Sequence, residues 1–362
     1  MKFKRFFKSG AAALLIAVSV SCTAAFAGCA ENNKSSGSGT VSYISVNSEV
    51  YSSAAEVVAA VADTVVEIST ESVTSQWGMQ YIVSGAGSGV IVGKEDDKYY
   101  IVTNNHVIDG AKNIVVRTRE GTELSASLIA ADDSADIAIV SVAYDGELKL
   151  AVWGNSDDLK IGEDLIAIGN PLGSLGGTVT KGILSATGRT INVGNFPMTL
   201  LQTDTAINPG NSGGGLFNMR GELIGVVNAK TSNEEIEGIC FAIPANTARE
   251  VYSQLSEYGY IVGRATFNLT LAEGNLNSQA IVYVTEAEEG EAFKKYDRIA
   301  KIDGKEISSL LEYNAVLATL TPDDTVEVEV YRGSVTQTFF GNSISFDSSP
   351  TTFTVKVLQY GA

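Results

Sequence analysis

The residues with the clearest chemical potential lie in one glycine-rich run, Asn208-Pro209-Gly210-Asn211-Ser212-Gly213-Gly214-Gly215. A serine hydroxyl is a poor nucleophile. It acts only when it is exposed, loses its proton as it attacks, and sits beside donors for the oxyanion that develops. Glycines meet the geometric part, because they allow unusual backbone angles and let a carbonyl approach main-chain N–H groups. The amides of Gly210 and Ser212 would point at the oxyanion. Taken alone, the segment reads equally well as a tight turn between strands that happens to contain a serine.

A base must accompany such a nucleophile, and the chain has one histidine, His106. This count rules out a zinc site built on two or three histidines and makes His106 the only imidazole available. It follows the apolar run Ile101-Val102-Thr103 and stands at its end. A lone histidine is more often a hydrogen-bonded structural residue than a base. Asp136, in Ser134-Ala135-Asp136-Ile137-Ala138-Ile139-Val140, opens a strongly apolar strand. A carboxylate there faces burial, which is costly unless it is paired, and an imidazole N–H is one partner that resolves the cost. Asp132 and Asp133 read as solvated turn residues. Together the three form a His, Asp, Ser order along a β-rich chain, one of the known solutions to the triad geometry. Ser212 attacks, His106 carries the proton to the leaving amine, and Asp136 holds the imidazole in the useful tautomer.

The elements that must position these residues read as mainly β. Short β-branched runs separated by Gly, Asn and Asp occur at Thr64–Ile68, Tyr100–Thr103, Asn113–Arg117, Ile137–Val142, Asp164–Ile168, Glu222–Val227 and Gly238–Ile243. This spacing indicates a barrel or sandwich and excludes alternating βαβ units. The scarcity of proline (6) beside 36 glycines fits many strands joined by tight turns. After Pro244 comes a helix, Ala245 to Tyr258, with Ala248, Val251, Tyr252 and Leu255 at helical spacing and Gly259 as its stop. A first domain over 51–259 ends there. A second unit over 260–362 has a strand at Ala280–Thr285, a turn around Asp303-Gly304, a helix over Ser309–Thr319, a strand over Thr325–Arg332 and another over Phe353–Leu358.

Ahead of these domains, residues 1–29 read as an export signal, with Lys2, Lys4, Arg5 and Lys8 before an apolar stretch from Ala11 to Val20. Three readings of its end stay open. Ala25-Phe26-Ala27 fits a small-residue cleavage site. Phe26-Ala27-Gly28-Cys29 resembles a bacterial lipobox with Cys29 as the lipidated residue. The stretch also approaches the length of a membrane anchor. The lipoprotein reading is favoured because residues 30–50, rich in Ser, Gly and Asn, form a flexible spacer that would hold a domain off a membrane. All three readings place the remainder outside the cytoplasm. The formal charge of -17 argues against a nucleic-acid partner, which draws on clustered Lys and Arg. Of the three cysteines, Cys22 and Cys29 lie in the leader. Cys240 is then alone, without a disulfide framework, and reads as a small buried hydrophobe.

The segments Tyr100–Asp109, Ser134–Val140, Ile161–Leu172, Thr178–Ala186, Leu201–Leu216 and Gly238–Pro244 resemble, in order, the HtrA (high-temperature-requirement) family of trypsin-like serine proteases. The resemblance covers nearly all of residues 51–258. It implies two six-stranded barrels with the active site between them, His106, Asp136 and Ser212 as the triad, and Gly210 with Ser212 as the oxyanion hole. It implies no cofactor. The specificity pocket would take its walls from Ile207, Asn208, Asn228, Ala229 and Lys230. These hold no acidic group, which argues against a preference for Lys or Arg, and the resemblance implies cleavage after small aliphatic residues in unfolded or damaged proteins. The chain departs from the family pattern with Gly215 in place of Pro and Cys240 in place of Gly. The region from Gly263 to Val357 resembles a PDZ domain, a small α+β module that binds C-terminal peptides by adding them to a sheet edge. Its carboxylate-capturing loop would be Thr266-Phe267-Asn268-Leu269, with Asn268 where the family has Gly. Family members form homotrimers through their protease domains, which makes a homotrimer the expected assembly here. The alternatives to a peptidase are a non-cutting adaptor in the same fold, which would typically lack Ser212 or His106, and a surface lipoprotein whose PDZ-like unit does the work.

Overall fold

The computed structural model describes residues 50–76, 79–170, 177–208, 210–229, 238–288, 292–338 and 341–361. The expected export signal, Cys29 and the expected spacer up to residue 49 lie outside the described residues. Among the described residues, no helix is long and apolar enough to cross a membrane.

A short helix, α1 (Ala54–Val61), leads in, capped by Ser53, whose hydroxyl accepts from the Glu56 amide. It buries Val57 and Val61. Six antiparallel strands follow: β1 (Val65–Gln76), β2 (Met79–Glu95), β3 (Lys98–Thr103), β4 (Asn113–Arg117), β5 (Glu123–Asp132) and β6 (Ile137–Ala143). They close into a barrel in the order β1-β2-β3-β6-β5-β4. Side chains alternate across a strand, so Tyr99 and Ile101 on β3 fill the barrel with Ala138, Val140 and Val142 on β6. Val102, Ile137 and Ile139 face the other way into a second core. Burial on both faces accounts for the unbroken apolar runs in these strands. One helical turn, α2 (Asn105–Ile108), caps the end of β3.

The second barrel uses β7 (Val152–Trp153), β8 (Asp164–Gly169), β9 (Thr178–Val193), β10 (Phe196–Thr203), β11 (Gly215–Asn218), β12 (Glu222–Asn228) and β13 (Cys240–Pro244). Six of them close in the cycle β11-β8-β9-β10-β13-β12, and β7 adds in parallel to β12. The interior holds Leu165, Leu184, Leu201, Leu216, Val227 and Ala242, with Cys240 also buried there. The two six-stranded barrels match the expected architecture. Between them lies a shared core in which Val90, Val102 and Ile139 of the first barrel join Ile166, Phe217 and Val226 of the second. Helix α3 (Ala245–Tyr258) spans the expected residues, buries the predicted Ala248, Val251, Tyr252 and Leu255, and ends on Gly259 at φ 79°.

The C-terminal module contains β14 (Ala265–Thr266), β15 (Thr270–Leu276), β16 (Gln279–Glu286), β17 (Arg298–Ile302), β18 (Lys305–Glu306), α4 (Leu310–Leu317), β19 (Thr325–Tyr331), β20 (Gly333–Thr338), β21 (Gly341–Phe346), β22 (Thr351–Lys356) and β23 (Leu358–Gln359). Its main sheet runs β15-β16-β17-β19-β22, so β15 is an edge. α4 packs Tyr313 and Val316 into a core with Phe267, Phe293 and Val328. The expected helix over Ser309–Thr319 is shorter, because Ser309 serves as its N-cap. The C-terminal stretch, whose packing could not be read from sequence, supplies β22 beside β19 and β23 beside β14.

Candidate active site

His106 leaves the first barrel at the end of β3. Asn104 stays extended (ψ 145°) and starts the single turn of α2, which lifts the imidazole over the barrel end. Asp136 stands at the entry to β6 in the left-handed region, φ 50°, a conformation Asp tolerates better than most residues. It is 3% exposed, as the apolar context predicted, and its carboxylate is fully engaged. Oδ1 accepts from the His106 amide at 2.9 Å. Oδ2 meets His106 Nδ1 at 2.7 Å and accepts from Asn228 Nδ2 at 2.9 Å. Asn104 Nδ2 donates to the Asp136 carbonyl at 3.0 Å. On its other side His106 Nε2 lies 3.1 Å from Ser212 Oγ. With the proton on Nδ1, facing the carboxylate, Nε2 is free to accept from the serine.

The glycine-rich segment turns tightly. Asn211 N donates to Asn208 O, Gly214 N to Asn211 O, and Gly213 N to Val227 O. Gly210 and Gly213 take φ of 96° and 81°. A Cβ on Gly213 would run into Ser88 O and Thr103 Oγ1, so only glycine fits there. Among the described residues, neither the Gly210 nor the Ser212 amide donates a backbone hydrogen bond. Gly215 begins β11, with the ring of Phe217 lying where a Cβ would stand.

Of the expected pocket residues, Ile207 is buried and Ala229 packs beside it on the apolar cluster that also holds Cys240. Asn208 is exposed. Asn228 also supports the triad, because its Nδ2 donates to the Asp136 carboxylate. Lys230 and Pro209 lie outside the described residues. In the C-terminal module Asn268 adopts φ 54°, and its Nδ2 donates to Glu288 Oε1 at 2.8 Å. Thr266 caps the Asn268 amide, Phe267 is buried and Leu269 is partly so. Thr266 and Leu269, with Tyr313 and Leu317 of α4, line a cavity of about 560 Å³.

Asp132 corrects an expectation. Asp133 is exposed, but Asp132 is 2% exposed. It pairs with Arg264, and its Oδ2 accepts from the Ala135 amide at 2.9 Å, bracing the turn that ends in Asp136. Burial lowers the Arg264 guanidinium to about 10. Sequence reasoning also missed Asn104 and Ser88. The usable signals were polar residues within or just past apolar strands, since buried amides and hydroxyls need partners. Ser88 additionally sits between two strand glycines, which mark close backbone approach.

Comparison with known proteins extends this picture. Residues 87–226 match the trypsin-like peptidase domain family and residues 269–340 the PDZ domain family. The chain is 38% identical over 274 residues to the serine protease Do-like HtrA of Bacillus subtilis (strain 168), spanning 69% of this chain and 61% of that protein. It is 38% identical over 259 residues to the periplasmic serine endoprotease DegP of Escherichia coli (strain K12), spanning 67% and 53%. The chain thus spans less than two thirds of the length of these relatives. Among solved structures, the HtrA-type protease AlgW with a tripeptide aligns at TM-score 0.52 and 30% identity, over 86% of this chain and 98% of that one. The serine endoprotease from Yersinia pestis aligns at TM-score 0.51 and 30% identity, over 86% and 99%. Similarity that runs through both domains in this way makes the chain a member of the HtrA-type trypsin-like serine proteases with one PDZ domain.

Proposed function

We propose that the protein is a serine endopeptidase that cuts unfolded or damaged polypeptides through an acyl-enzyme. The observation that carries this reading is the line Asp136 Oδ2, His106, Ser212 Oγ, with contacts of 2.7 and 3.1 Å. His106 Nε2 takes the Ser212 proton as Oγ bonds to the scissile carbonyl carbon. The carbonyl electron pair moves to oxygen, which the Gly210 and Ser212 amides stabilise. His106⁺ then protonates the leaving amine as the C–N bond breaks. Water repeats the sequence on the ester, giving its proton to His106 and releasing the carboxylate product. Asp136 stays ionised throughout and offsets the imidazolium charge.

The pocket expected from Ile207, Asn208, Asn228, Ala229 and Lys230 holds no acidic group to attract Lys or Arg, and the family resemblance points to cleavage after small aliphatic residues. The PDZ domain takes peptide C-termini along the β15 edge, their carboxylates held by the loop Thr266–Leu269. The protein works outside the cytoplasm as a homotrimer tethered through its N-terminus, by a lipid on Cys29 or by an uncleaved anchor. Support for the location comes from relatives described as periplasmic, among them DegP.

The test is digestion of unfolded casein by the full chain and by Ser212→Ala. Cleavage by the parent alone supports the peptidase and its nucleophile together. Cleavage by both removes Ser212 from the mechanism. A peptide-library profile dominated by cleavage after Lys or Arg would refute the pocket assignment. A fatty-acid label that persists in Cys29→Ser would refute the lipid site.

A further inference from the structure

The mechanism above leaves one buried hydroxyl at the centre of the site unused. Ser88, on β2 of the first barrel, is 0% exposed and spends every polar group at the junction of the barrels. Its amide donates to Ser212 O at 2.8 Å. Its carbonyl accepts from Thr103 Oγ1 at 2.7 Å. Its hydroxyl accepts from the Asn170 amide at 2.8 Å and donates to Gly210 O at 2.6 Å. The carbonyls of both residues whose amides would bind the oxyanion are therefore held by one residue of the opposite barrel.

We infer that Ser88 is a positioning residue for the oxyanion hole, and that its hydroxyl sets the orientation of the Gly210 amide. The inference rests on the reading of Ser212 as nucleophile. Gly210 is at φ 96°, and glycine has little intrinsic preference between backbone basins. Among the described residues, no other hydrogen bond to the Gly210 carbonyl is seen. Without the Ser88 hydroxyl this residue is free to rotate, and its N–H turns away from the point where the oxyanion forms. A donor is catalytically useful only if it is aimed before the charge appears. The chain Asn170 N–H to Ser88 Oγ–H to Gly210 C=O also polarises along its length. The end of β8 thereby helps to aim the nucleophile loop.

The experiment compares the full chain with Ser88→Ala and Ser88→Cys by steady-state peptide cleavage and by binding of a peptide boronic acid. Ser212 Oγ adds to the vacant orbital of boron and gives its proton to His106, so the tetrahedral adduct presents a B–O group to the hole. In Ser88→Ala, kcat falls about 100-fold, the order of one lost oxyanion donor. Boronate affinity falls in parallel, while KM stays within about threefold because ground-state binding does not use the hole. Ser88→Cys preserves size and supplies only a weak donor. If Ser88→Ala melts below the assay temperature, Ser88→Cys carries the test with at least about a tenfold loss in both quantities. A folded variant whose kcat and boronate affinity match the parent overturns the inference and leaves the nucleophile untouched. A parent that takes up no boronate and cuts nothing overturns the reading of Ser212, and the inference with it.

Discussion

Asn228 Nδ2 lies 2.9 Å from Oδ2 of Asp136, the same oxygen that His106 Nδ1 meets at 2.7 Å. Asn228 belongs to β12 of the second barrel and Asp136 stands at the entry to β6 of the first, so this bond spans the junction. Removing a neutral donor from a buried carboxylate costs about 1–3 kcal/mol. Asn228→Ala should therefore lower kcat about tenfold, by loosening the carboxylate that orients His106, with KM little changed. Steady-state kinetics on a chromogenic peptide decides it, and an unchanged kcat would make the contact merely structural.

Asp136→Asn tests the same carboxylate more severely. The Asn amide would donate to Nδ1 and leave the imidazole proton on Nε2, the wrong tautomer for accepting from Ser212. In a serine protease of known triad this change lowers kcat about 10⁴-fold, and the same order is expected here. The melting temperature, recorded in parallel, separates a lost tautomer from a lost fold.

The three chemistry-bearing residues could be read from sequence because each carried an unusual demand. His106 is the sole imidazole, Asp136 is a carboxylate entering an apolar strand, and Ser212 stands in a turn that needs glycines. The helix at Ala245–Tyr258 was legible from its periodicity and its stop. What could not be read were contacts between residues far apart in the chain. Asp132 looks like its neighbour Asp133 until Arg264, more than a hundred residues later, folds onto it. Asn228 lies in a segment that reads as pocket wall, and only the approach of the barrels aims it at Asp136. The glycines that flank Ser88 mark a close backbone approach, but nothing local to it names Gly210 as the partner. The long hairpin of β1 and β2 was legible only near its base, because beyond Glu71, where pairing with β4 stops, Ser and Thr replace the apolar pattern of a buried strand.

The Arg264–Asp132 pair predicts a stability effect. Asp132 is almost wholly buried, and deleting a charged partner leaves its carboxylate uncompensated. Asp132 keeps the Ala135 amide, and the Arg264 side chain is 28% exposed, so Arg264→Ala should cost about 1–3 kcal/mol, below the full penalty of a deeply buried pair. Urea unfolding of the two single variants and the double variant measures the coupling. Strictly additive effects would show that the pair contributes nothing beyond its separate parts.

The start of α4 predicts a pH dependence. Hydrogen bonds from the Ser308 hydroxyl and amide hold the Glu312 carboxyl below its ordinary value of 4.5. A depressed carboxylate contributes stability above its unfolded pKa and loses it as pH falls through the folded one. Glu312 is largely exposed, so solvent screening limits the effect to about 0.5 kcal/mol. The difference in unfolding free energy between the parent and Glu312→Gln should be present at pH 6 and vanish toward pH 3. A difference that is constant over this range would remove ionisation as its cause.

Asn268 tests the PDZ loop. Its φ of 54° lies where a side chain with Cβ costs about 1–2 kcal/mol, and where Gly pays no such cost and Asn is better tolerated than most residues. Asn268→Gly gives up only the exposed bond to Glu288 and should stay within about 0.5 kcal/mol of the parent. Asn268→Val should lose about 1–2 kcal/mol, because a β-branched residue fits this region worst. If the loop amides capture a carboxylate, the glycine variant binds a C-terminal peptide at least as tightly as the parent. The valine variant, whose backbone is driven from the left-handed region, binds it about tenfold more weakly, following the strain it must absorb. Fluorescence anisotropy with the peptide acid, set against the same peptide amidated at its C-terminus, reads both effects. Equal affinity for acid and amide in the parent would mean that the groove holds an extended strand by its edge alone, and that Thr266–Leu269 does not read the terminal charge.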